Sequence, residues 1–280
     1  MGMELVSIAT PGAPLDGLYY EPEGGATAGA VLLFHGNTMN FYVGALRFLP
    51  PALVNRGYAC LAFNRRGHDI LSTRNSRQSE GGAFQITREA MEDNALAARW
   101  LAARGHRNPI VMGHSNGGML GVRHAVDHPE TRGLVLLSAG RGGPTSVESG
   151  GTEGLLAGNR LQELTAQARA MVAAGKGREL MFMPGWWYVI TAESFLDRLT
   201  EVPDVLALAP QVRCPVLFIR GDKENAHRYP AEEFCERATA PAVAKVIPDC
   251  DHFYNGREHV VIDTVATWLA ATMQATGSTR

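Results

Sequence analysis

The chain has 280 residues, of which 45% are hydrophobic and 19% are charged, and its formal net charge at pH 7 is −2. This length suits one large domain with an insertion or two small domains, and the composition is ordinary for a globular protein in solution. The small net charge argues against nucleic acid or an anionic membrane as a partner. No apolar run reaches the length of a membrane span.

The N-terminus and the cysteines bear on the compartment of the protein. Residues 1–4 lack the basic start and apolar core of a signal peptide, so we expect a cytoplasmic location. The four cysteines show no C-x-x-C spacing of the kind that binds metal, so we expect free, buried thiols and no metal site. These cysteines are Cys60, Cys214, Cys235 and Cys250.

Strand and helix patterns alternate through the first half of the chain. The continuous apolar run 30–34 is typical of a central strand covered on both faces. Pro50 and Pro51 are expected to break or restart a helix predicted over 45–55. The other predicted elements are an antiparallel hairpin of strands 3–8 and 18–20, the strands 58–63, 109–112 and 133–138, the helix 87–103 and a helix that ends at 128.

The alternation stops after residue 140 and resumes after residue 208. Between these positions we predict helices over 161–174 and 192–199, an aromatic segment at 181–188 and no strand. The last predicted elements are the strands 215–220 and 242–247 and the helices 230–238 and 260–271. Alternating strands and helices indicate a mostly parallel sheet with helices on both faces. We therefore predict a core of residues 1–140 and 209–280 and a helical cap insertion over 141–208.

One turn is the strongest candidate for chemistry. The predicted strand 109–112 runs into Gly113-His114-Ser115-Asn116-Gly117, and a helical pattern follows. This matches G-x-S-x-G, the nucleophile elbow, in which a strained turn projects the serine hydroxyl from the end of the sheet. The helix N-terminus adds free N–H groups where negative charge would develop. The pentapeptide alone is weak evidence, and an ordinary strand-to-helix turn is the alternative.

A serine nucleophile needs a base and an orienting acid. Among the nine histidines, His252 is favoured because it follows the last predicted strand, at the same sheet edge as the elbow. The strand that ends near Ser138 offers no carboxylate, whereas the strand that ends near Arg220 is followed by Asp222 and Glu224. The residues alone leave the choice between these two carboxylates open.

At this point the chain closely resembles the α/β-hydrolase superfamily over nearly its whole length, apart from the insertion. Any one matching feature is weak, but all of them together, in the order serine, acid, histidine, are highly specific. The features are His35-Gly36 after an early strand, Arg66-Gly67 after the next, the elbow around Ser115, Gly221 to Glu224, and Asp251-His252. The resemblance implies the α/β-hydrolase fold with a small helical cap, as in serine esterases and lipases.

The resemblance also implies roles for individual residues. The family acid usually stands three places after the glycine, which favours Glu224 over Asp222, although that position more often carries Asp. A glutamate is one methylene longer and must retract to hold the imidazole. The oxyanion hole would be formed by the backbone N–H of Asn116, after the nucleophile, and that of Asn37, after His35-Gly36.

These implications predict a serine hydrolase without cofactor or metal that cleaves a carboxylic ester, a lactone or a thioester. Four aromatic residues are candidates for an apolar substrate wall, and anchoring of the cap to the core is the alternative role for them. They are Phe41, Tyr42, Trp186 and Trp187. Amidase, acyltransferase or carbon–carbon bond hydrolase activity on the same fold is the first alternative, and a ligand-binding protein without catalysis is the second. Haloalkane dehalogenase and epoxide hydrolase activity are disfavoured because they use Asp where Ser115 stands. The expected partner is a small ester-type molecule; the oligomeric state stays open, with a homodimer as one alternative.

Overall fold

The computed structural model describes residues 1–73, 77–143, 156–185 and 189–275. Its strands, in chain order, are β1 (Gly2–Ile8), β2 (Leu15–Glu21), β3 (Gly29–Phe34), β4 (Tyr58–Phe63), β5 (Ile110–His114), β6 (Leu134–Leu137), β7 (Leu180–Phe182), β8 (Val189–Thr191), β9 (Val216–Gly221) and β10 (Ala242–Ile247).

The α-helices are α1 (Ala45–Val54), α2 (Thr87–Ala103), α3 (Asn116–Asp127), α4 (Leu161–Ala173), α5 (Ala192–Thr200), α6 (Val205–Leu208), α7 (Ala231–Arg237) and α8 (Glu258–Ala275). Short 3₁₀ turns lie at Gly82–Phe84, Gly158–Arg160 and Ala209–Gln211. Over the described part of the chain, no helix combines the length and the apolar character that crossing a bilayer requires.

Eight strands form the main sheet, in the spatial order β1-β2-β4-β3-β5-β6-β9-β10. The first two strands pair antiparallel, and β2 pairs antiparallel with β4. All other neighbours in this sheet are parallel. This architecture confirms the predicted mostly parallel sheet with an antiparallel hairpin at its start. Because β5, β6, β9 and β10 are parallel, the loops that follow them share one edge of the sheet.

The two faces of the sheet are covered by two apolar clusters. In β3, Leu32 and Phe34 pack toward the face covered by α2 and α3, and Val31 and Leu33 pack toward the face covered by α1 and α8. Side chains of a strand alternate between faces, so a strand buried on both sides is apolar throughout. The cysteines are free, and all except the half-buried Cys235 are buried.

The prediction that Pro50 and Pro51 break the first helix is wrong. Both prolines lie inside α1, which continues to Val54. Proline removes a backbone donor and crowds the preceding turn, which disfavours a helix interior. Here the burial of an apolar face against the sheet outweighs that cost, and the face consists of Ala45, Leu46, Leu49, Pro50, Leu53 and Val54.

The expectation of no strand between 141 and 208 is also wrong. Strands β7 and β8 form an antiparallel hairpin of three residues each, with Met181 paired to Ile190. Three residues are too few for the alternation of a strand to stand out in a sequence. The predicted helices there do form, as α4 and α5. This region has its own apolar cluster, which is separate from the two on the sheet and includes Leu164, Ala168, Met181, Ile190 and Phe195.

Candidate active site

Ser115 lies on a strained turn between β5 and α3. Its φ is 55° and its ψ is −120°, a backbone conformation that residues other than glycine rarely adopt. Its N–H donates to the carbonyl of Leu137 at 2.8 Å, and its own carbonyl accepts from Gly118 at 2.9 Å. The turn is therefore fixed on one side by β6 and on the other by the first turn of α3.

Close backbone approach explains the two outer glycines of the motif. A Cβ on Gly117 would lie under 3.0 Å from the carbonyl oxygens of Phe34 and His35, and one on Gly113 would meet the carbonyl of Gly117 as closely. The segment after β3 also reaches the serine, because a Cβ on Gly36 would lie 3.1 Å from the Cβ of Ser115. The elbow and the His35-Gly36 segment are thus in contact.

A carboxylate–imidazole pair lies at the same edge of the sheet. Oε1 of Glu224 and Nδ1 of His252 are 2.7 Å apart, which requires the imidazole Nδ1–H to donate to the carboxylate. The Glu224 side chain is only 3% exposed, whereas the imidazole is 17% exposed. The pair therefore joins a buried charge to a ring that solvent can reach.

The other carboxylate, Asp222, has different partners. Its Oδ1 accepts the N–H of Cys250 at 3.0 Å. Hydrogen bonds from the backbone N–H groups of Asp249 and Cys250 hold the pKa of Asp222 below its ordinary value. Asp222 thus ties the turn after β9 to the loop after β10, while Glu224 contacts the imidazole.

The second oxygen of Glu224 is held by donors that the sequence did not indicate. Oε2 accepts the N–H of Gly221 at 2.7 Å and the hydroxyl of Ser138 at 2.6 Å. The Ser138 hydroxyl also lies 2.8 Å from the hydroxyl of Tyr254. A hydroxyl at the end of a strand was the only signal for Ser138, and Tyr254, two residues after His252, carried no signal.

His114 is a second residue of the site that sequence reasoning did not identify. Its Nε2–H donates to the backbone carbonyl of His252 at 2.8 Å, and the two imidazole centroids are 5.0 Å apart. Burial, followed by the nearby His252, lowers the pKa of His114 to about 3. A neutral imidazole therefore lies directly before Ser115 and holds the loop that carries His252.

Buried polar groups support the segment after β3. His35 donates Nδ1–H to the carbonyl of Gly36 at 2.8 Å and accepts the N–H of Arg65 at Nε2, at 3.1 Å. Burial and then the charge of Arg65 lower the pKa of His35 well below its ordinary value. Arg65 is completely buried. Burial lowers the pKa of Arg65 to about 10.

The two asparagines expected to supply backbone N–H groups lie in two segments that meet at Ser115, the start of α3 and the segment after β3. Asn116 is the first residue of α3, where N–H groups have no partner inside the helix, and it is almost completely buried. Asn37 follows Gly36, and its Oδ1 accepts from Nη2 of Arg198 at 3.5 Å. Arg198 belongs to α5, so this helix contacts the segment that follows β3.

Two of the four aromatic candidates for substrate contact, Phe41 and Tyr42, lie among the described residues. Phe41 is half-buried against the core, and its N–H donates to Oδ1 of Asn64 at 2.8 Å. Tyr42 is 58% exposed. Trp186 and Trp187 lie outside the described residues. Among the residues that are described, no group of three or more His, Cys, Asp or Glu side chains is arranged to hold a metal ion.

Comparisons with known proteins agree with this fold. The profile of a family described as "Alpha/beta hydrolase family" matches residues 31–264. No curated protein sequence matches the chain significantly.

Many solved structures share the fold at low identity. Est1E from Butyrivibrio proteoclasticus, solved with bound ferulic acid, has a TM-score of 0.67 and 18% identity, over 96% of this chain and 99% of that chain. A soluble variant of monoglyceride lipase from Saccharomyces cerevisiae has a TM-score of 0.68 and 15% identity, over 95% and 94%. Proline iminopeptidase from Mycobacterium smegmatis has a TM-score of 0.63 and 17% identity, over 98% and 100%. Because the identities are this low, these matches show a shared fold and nothing about the activity of this chain.

Proposed function

Since the chain belongs to the α/β-hydrolase family, we propose that this hydrolase uses Ser115 as nucleophile, His252 as base and Glu224 as the acid that orients the base. The observation that carries the proposal is the 2.7 Å hydrogen bond between Glu224 and His252, on the sheet edge where Ser115 sits on its strained turn. Asp222 is the alternative acid, and its hydrogen bond to the Cys250 backbone disfavours it.

In the proposed reaction, Nε2 of His252 takes the Ser115 proton as Oγ attacks the carbonyl carbon of the substrate. The backbone N–H groups of Asn116 and Asn37 stabilise the oxyanion, and removing one such donor typically costs about 2.7–4 kcal/mol of transition-state stabilisation. His252 then gives the proton to the leaving group. Water attacks the acyl-enzyme with His252 again as base, which frees the acid and restores Ser115.

The proposed substrate is a carboxylic ester, a lactone or a thioester with an apolar or aromatic part. An esterase domain from Rhodothermus marinus and the monoglyceride lipase, both structural neighbours, support ester chemistry. The insertion 141–208 would act as a cap, supported by its separate apolar cluster and by the contact of Arg198 with Asn37. Phe41, Tyr42, Trp186 and Trp187 would form the aromatic wall of the substrate site.

Amide hydrolysis is the second candidate, because a proline iminopeptidase shares the fold. Acyl transfer and carbon–carbon bond hydrolysis also remain alternatives. All of these use an activated serine, whereas a ligand-binding protein needs none.

Labelling with a fluorophosphonate probe tests the proposal. We expect wild-type protein to be labelled and folded Ser115→Ala protein to be unlabelled. Equal labelling of both would exclude Ser115 as the nucleophile, and no labelling of wild type would favour a binding protein.

A panel of p-nitrophenyl esters and matched p-nitroanilides tests the class of bond. We expect turnover of the esters to exceed that of the anilides, with a preference for apolar or aromatic acyl groups. Faster turnover of the anilides would make the protein an amidase and leave the assignment of Ser115 unaffected.

A further inference from the structure

The acid of the proposed reaction is a glutamate, and a chain of two buried hydroxyl groups, those of Tyr254 and Ser138, ends at its Oε2. Ser138 follows β6 and is completely buried. Its φ is 46°, in the left-handed region, and its N–H donates to Ile219 on β9 at 2.8 Å. Tyr254 is also completely buried and has a φ of 64°. Two residues in a costly backbone conformation are thus linked to one carboxylate, Ser138 directly and Tyr254 through Ser138.

The protons of this network can be placed by counting donors. An ionised carboxylate only accepts, so the single hydroxyl proton of Ser138 must go to Oε2 of Glu224, at 2.6 Å. The Ser138 oxygen must then accept the proton of Tyr254, at 2.8 Å. Burial and the charge of Glu224 raise the pKa of Tyr254 well above its ordinary value, so the phenol keeps that proton. The two hydroxyl groups therefore donate in one direction: Tyr254 donates to Ser138, and Ser138 donates to Glu224.

We propose that Ser138 and Tyr254 are positioning residues that hold the Glu224 side chain retracted, so that its Oε1 contacts Nδ1 of His252. This inference rests on the proposed function, because it concerns how the acid of that mechanism is oriented. The glutamate side chain has one more rotatable bond than an aspartate. Anchoring Oε2 to Ser138 and to the Gly221 N–H leaves Oε1 a single direction, toward the imidazole.

The experiment separates the Ser138 hydroxyl from the Ser138 backbone. Ser138→Ala removes the hydroxyl and keeps the strained φ, whereas Ser138→Gly removes the hydroxyl and relieves the strain. We expect both variants to lose about tenfold to a hundredfold in kcat on p-nitrophenyl acetate, with KM nearly unchanged, because a hydrogen bond to a charged group is lost. The glycine variant should nevertheless unfold at the higher temperature of the two.

Two further variants test whether Tyr254 and Ser138 act through Glu224. Tyr254→Phe should lose about threefold to tenfold in kcat, since it removes a hydrogen bond between neutral groups. In a Glu224→Gln background, Ser138→Ala should cause almost no further loss, because both changes act through one carboxylate. Full additivity of the two losses would mean that Ser138 acts elsewhere.

A readout that does not need turnover completes the test. The low-field ¹H resonance of the His252 Nδ1 proton, absent in His252→Ala, should move in Ser138→Ala and in Ser138→Gly. An unmoved resonance, with kcat in both variants within twofold of wild type, would overturn the inference. Activity that follows stability, so that the glycine variant matches wild type, would overturn it as well. If fluorophosphonate labels Ser115→Ala protein, the proposed function fails, and the resonance still decides what Ser138 does.

Discussion

His114 donates its Nε2–H to the main-chain carbonyl of His252 at 2.8 Å, although the two residues are 138 positions apart in the chain. The residue before the candidate nucleophile therefore fixes the backbone of the candidate base. Because the contact is made to a carbonyl group, it leaves the His252 side chain able to hydrogen bond with Glu224. The elbow and the last loop of the sheet thus act as one unit.

Replacing His114 tests this unit. His114→Leu replaces the imidazole with an apolar side chain of similar size and removes the donor. We therefore expect kcat to fall about tenfold, because the loop that carries His252 is misplaced. His114→Gln retains an N–H donor and should lose less. Steady-state kinetics on p-nitrophenyl acetate would measure both variants. A leucine variant as active as the glutamine variant would show that the hydrogen bond does not matter.

Acid should destabilise the fold through His124 on α3. Burial, followed by the nearby His128, lowers the pKa of His124 from 6.5 to about 4 in the folded protein. Below pH 6.5 His124 binds a proton in the unfolded chain, whereas in the folded chain it stays neutral until the pH approaches 4. The unfolding free energy is therefore not reduced by this residue above pH 6.5, and it falls as the pH is lowered toward 4. For this residue the loss at pH 5 is about 2 kcal/mol.

Urea unfolding at pH 7.5 and pH 5.0 measures this loss. The difference in unfolding free energy between the two pH values should shrink in His124→Gln. The exposed His259 supplies the matched control, and His259→Gln should leave the difference as in wild type. Equal pH dependence in wild type and His124→Gln would mean that other groups cause the acid sensitivity.

Two glycines of α3 should respond to alanine in opposite directions. A Cβ on Gly117 would clash with the carbonyl oxygens of Phe34 and His35 at the end of β3, so Gly117→Ala should cost about 3 kcal/mol or more. A Cβ on Gly121 would make ordinary contacts of 3.5 Å with Leu134 and Val111. Gly121→Ala should therefore stabilise the helix by about 0.5–1 kcal/mol. Thermal unfolding compares the two, and equal melting temperatures would contradict the close packing at Gly117.

The two carboxylates after β9 predict different effects on turnover. Glu224→Gln should reduce kcat on the order of a hundredfold or more, because the imidazole loses the charge that holds its tautomer. Asp222→Asn should lose much less, since Asp222 bonds to the Cys250 backbone rather than to the imidazole. Kinetics of the two variants on one ester would rank them. The reverse ranking would make Asp222 the acid.

Much of this arrangement could be predicted from the sequence because the central strands β3, β4, β5, β6 and β9 are mostly apolar and buried. Their ends fix which loops share an edge, and that alone brings Ser115, Glu224 and His252 toward one another. The choice between Asp222 and Glu224 could not be made in this way, because residues two apart on a strand face the same side. It depends on the turn after Gly221, where the N–H of Glu224 approaches the Gly221 carbonyl at 3.3 Å.

The supporting residues could not be predicted for a different reason. Ser138 meets Glu224 across 86 positions and Tyr254 across 116, so no local pattern connects them. Their positive φ values also leave no mark on the residue types, since neither is a glycine. The uninterrupted α1 was missed because propensity alone weighs against Pro50 and Pro51, whereas packing on the sheet decides the outcome.

The attachment of the last loop through its backbone has a consequence for chemical rescue. His114 holds the carbonyl of His252 and Tyr254 is buried two residues later, so His252→Ala should keep the loop in place and leave a ring-sized gap beside Glu224. The imidazole of His252 is 17% exposed, which makes that gap reachable from solvent. Free imidazole in the buffer should then restore part of the turnover with a saturable concentration dependence. The same addition should restore nothing in Ser115→Ala, and a linear dependence in His252→Ala would mean that the gap has closed.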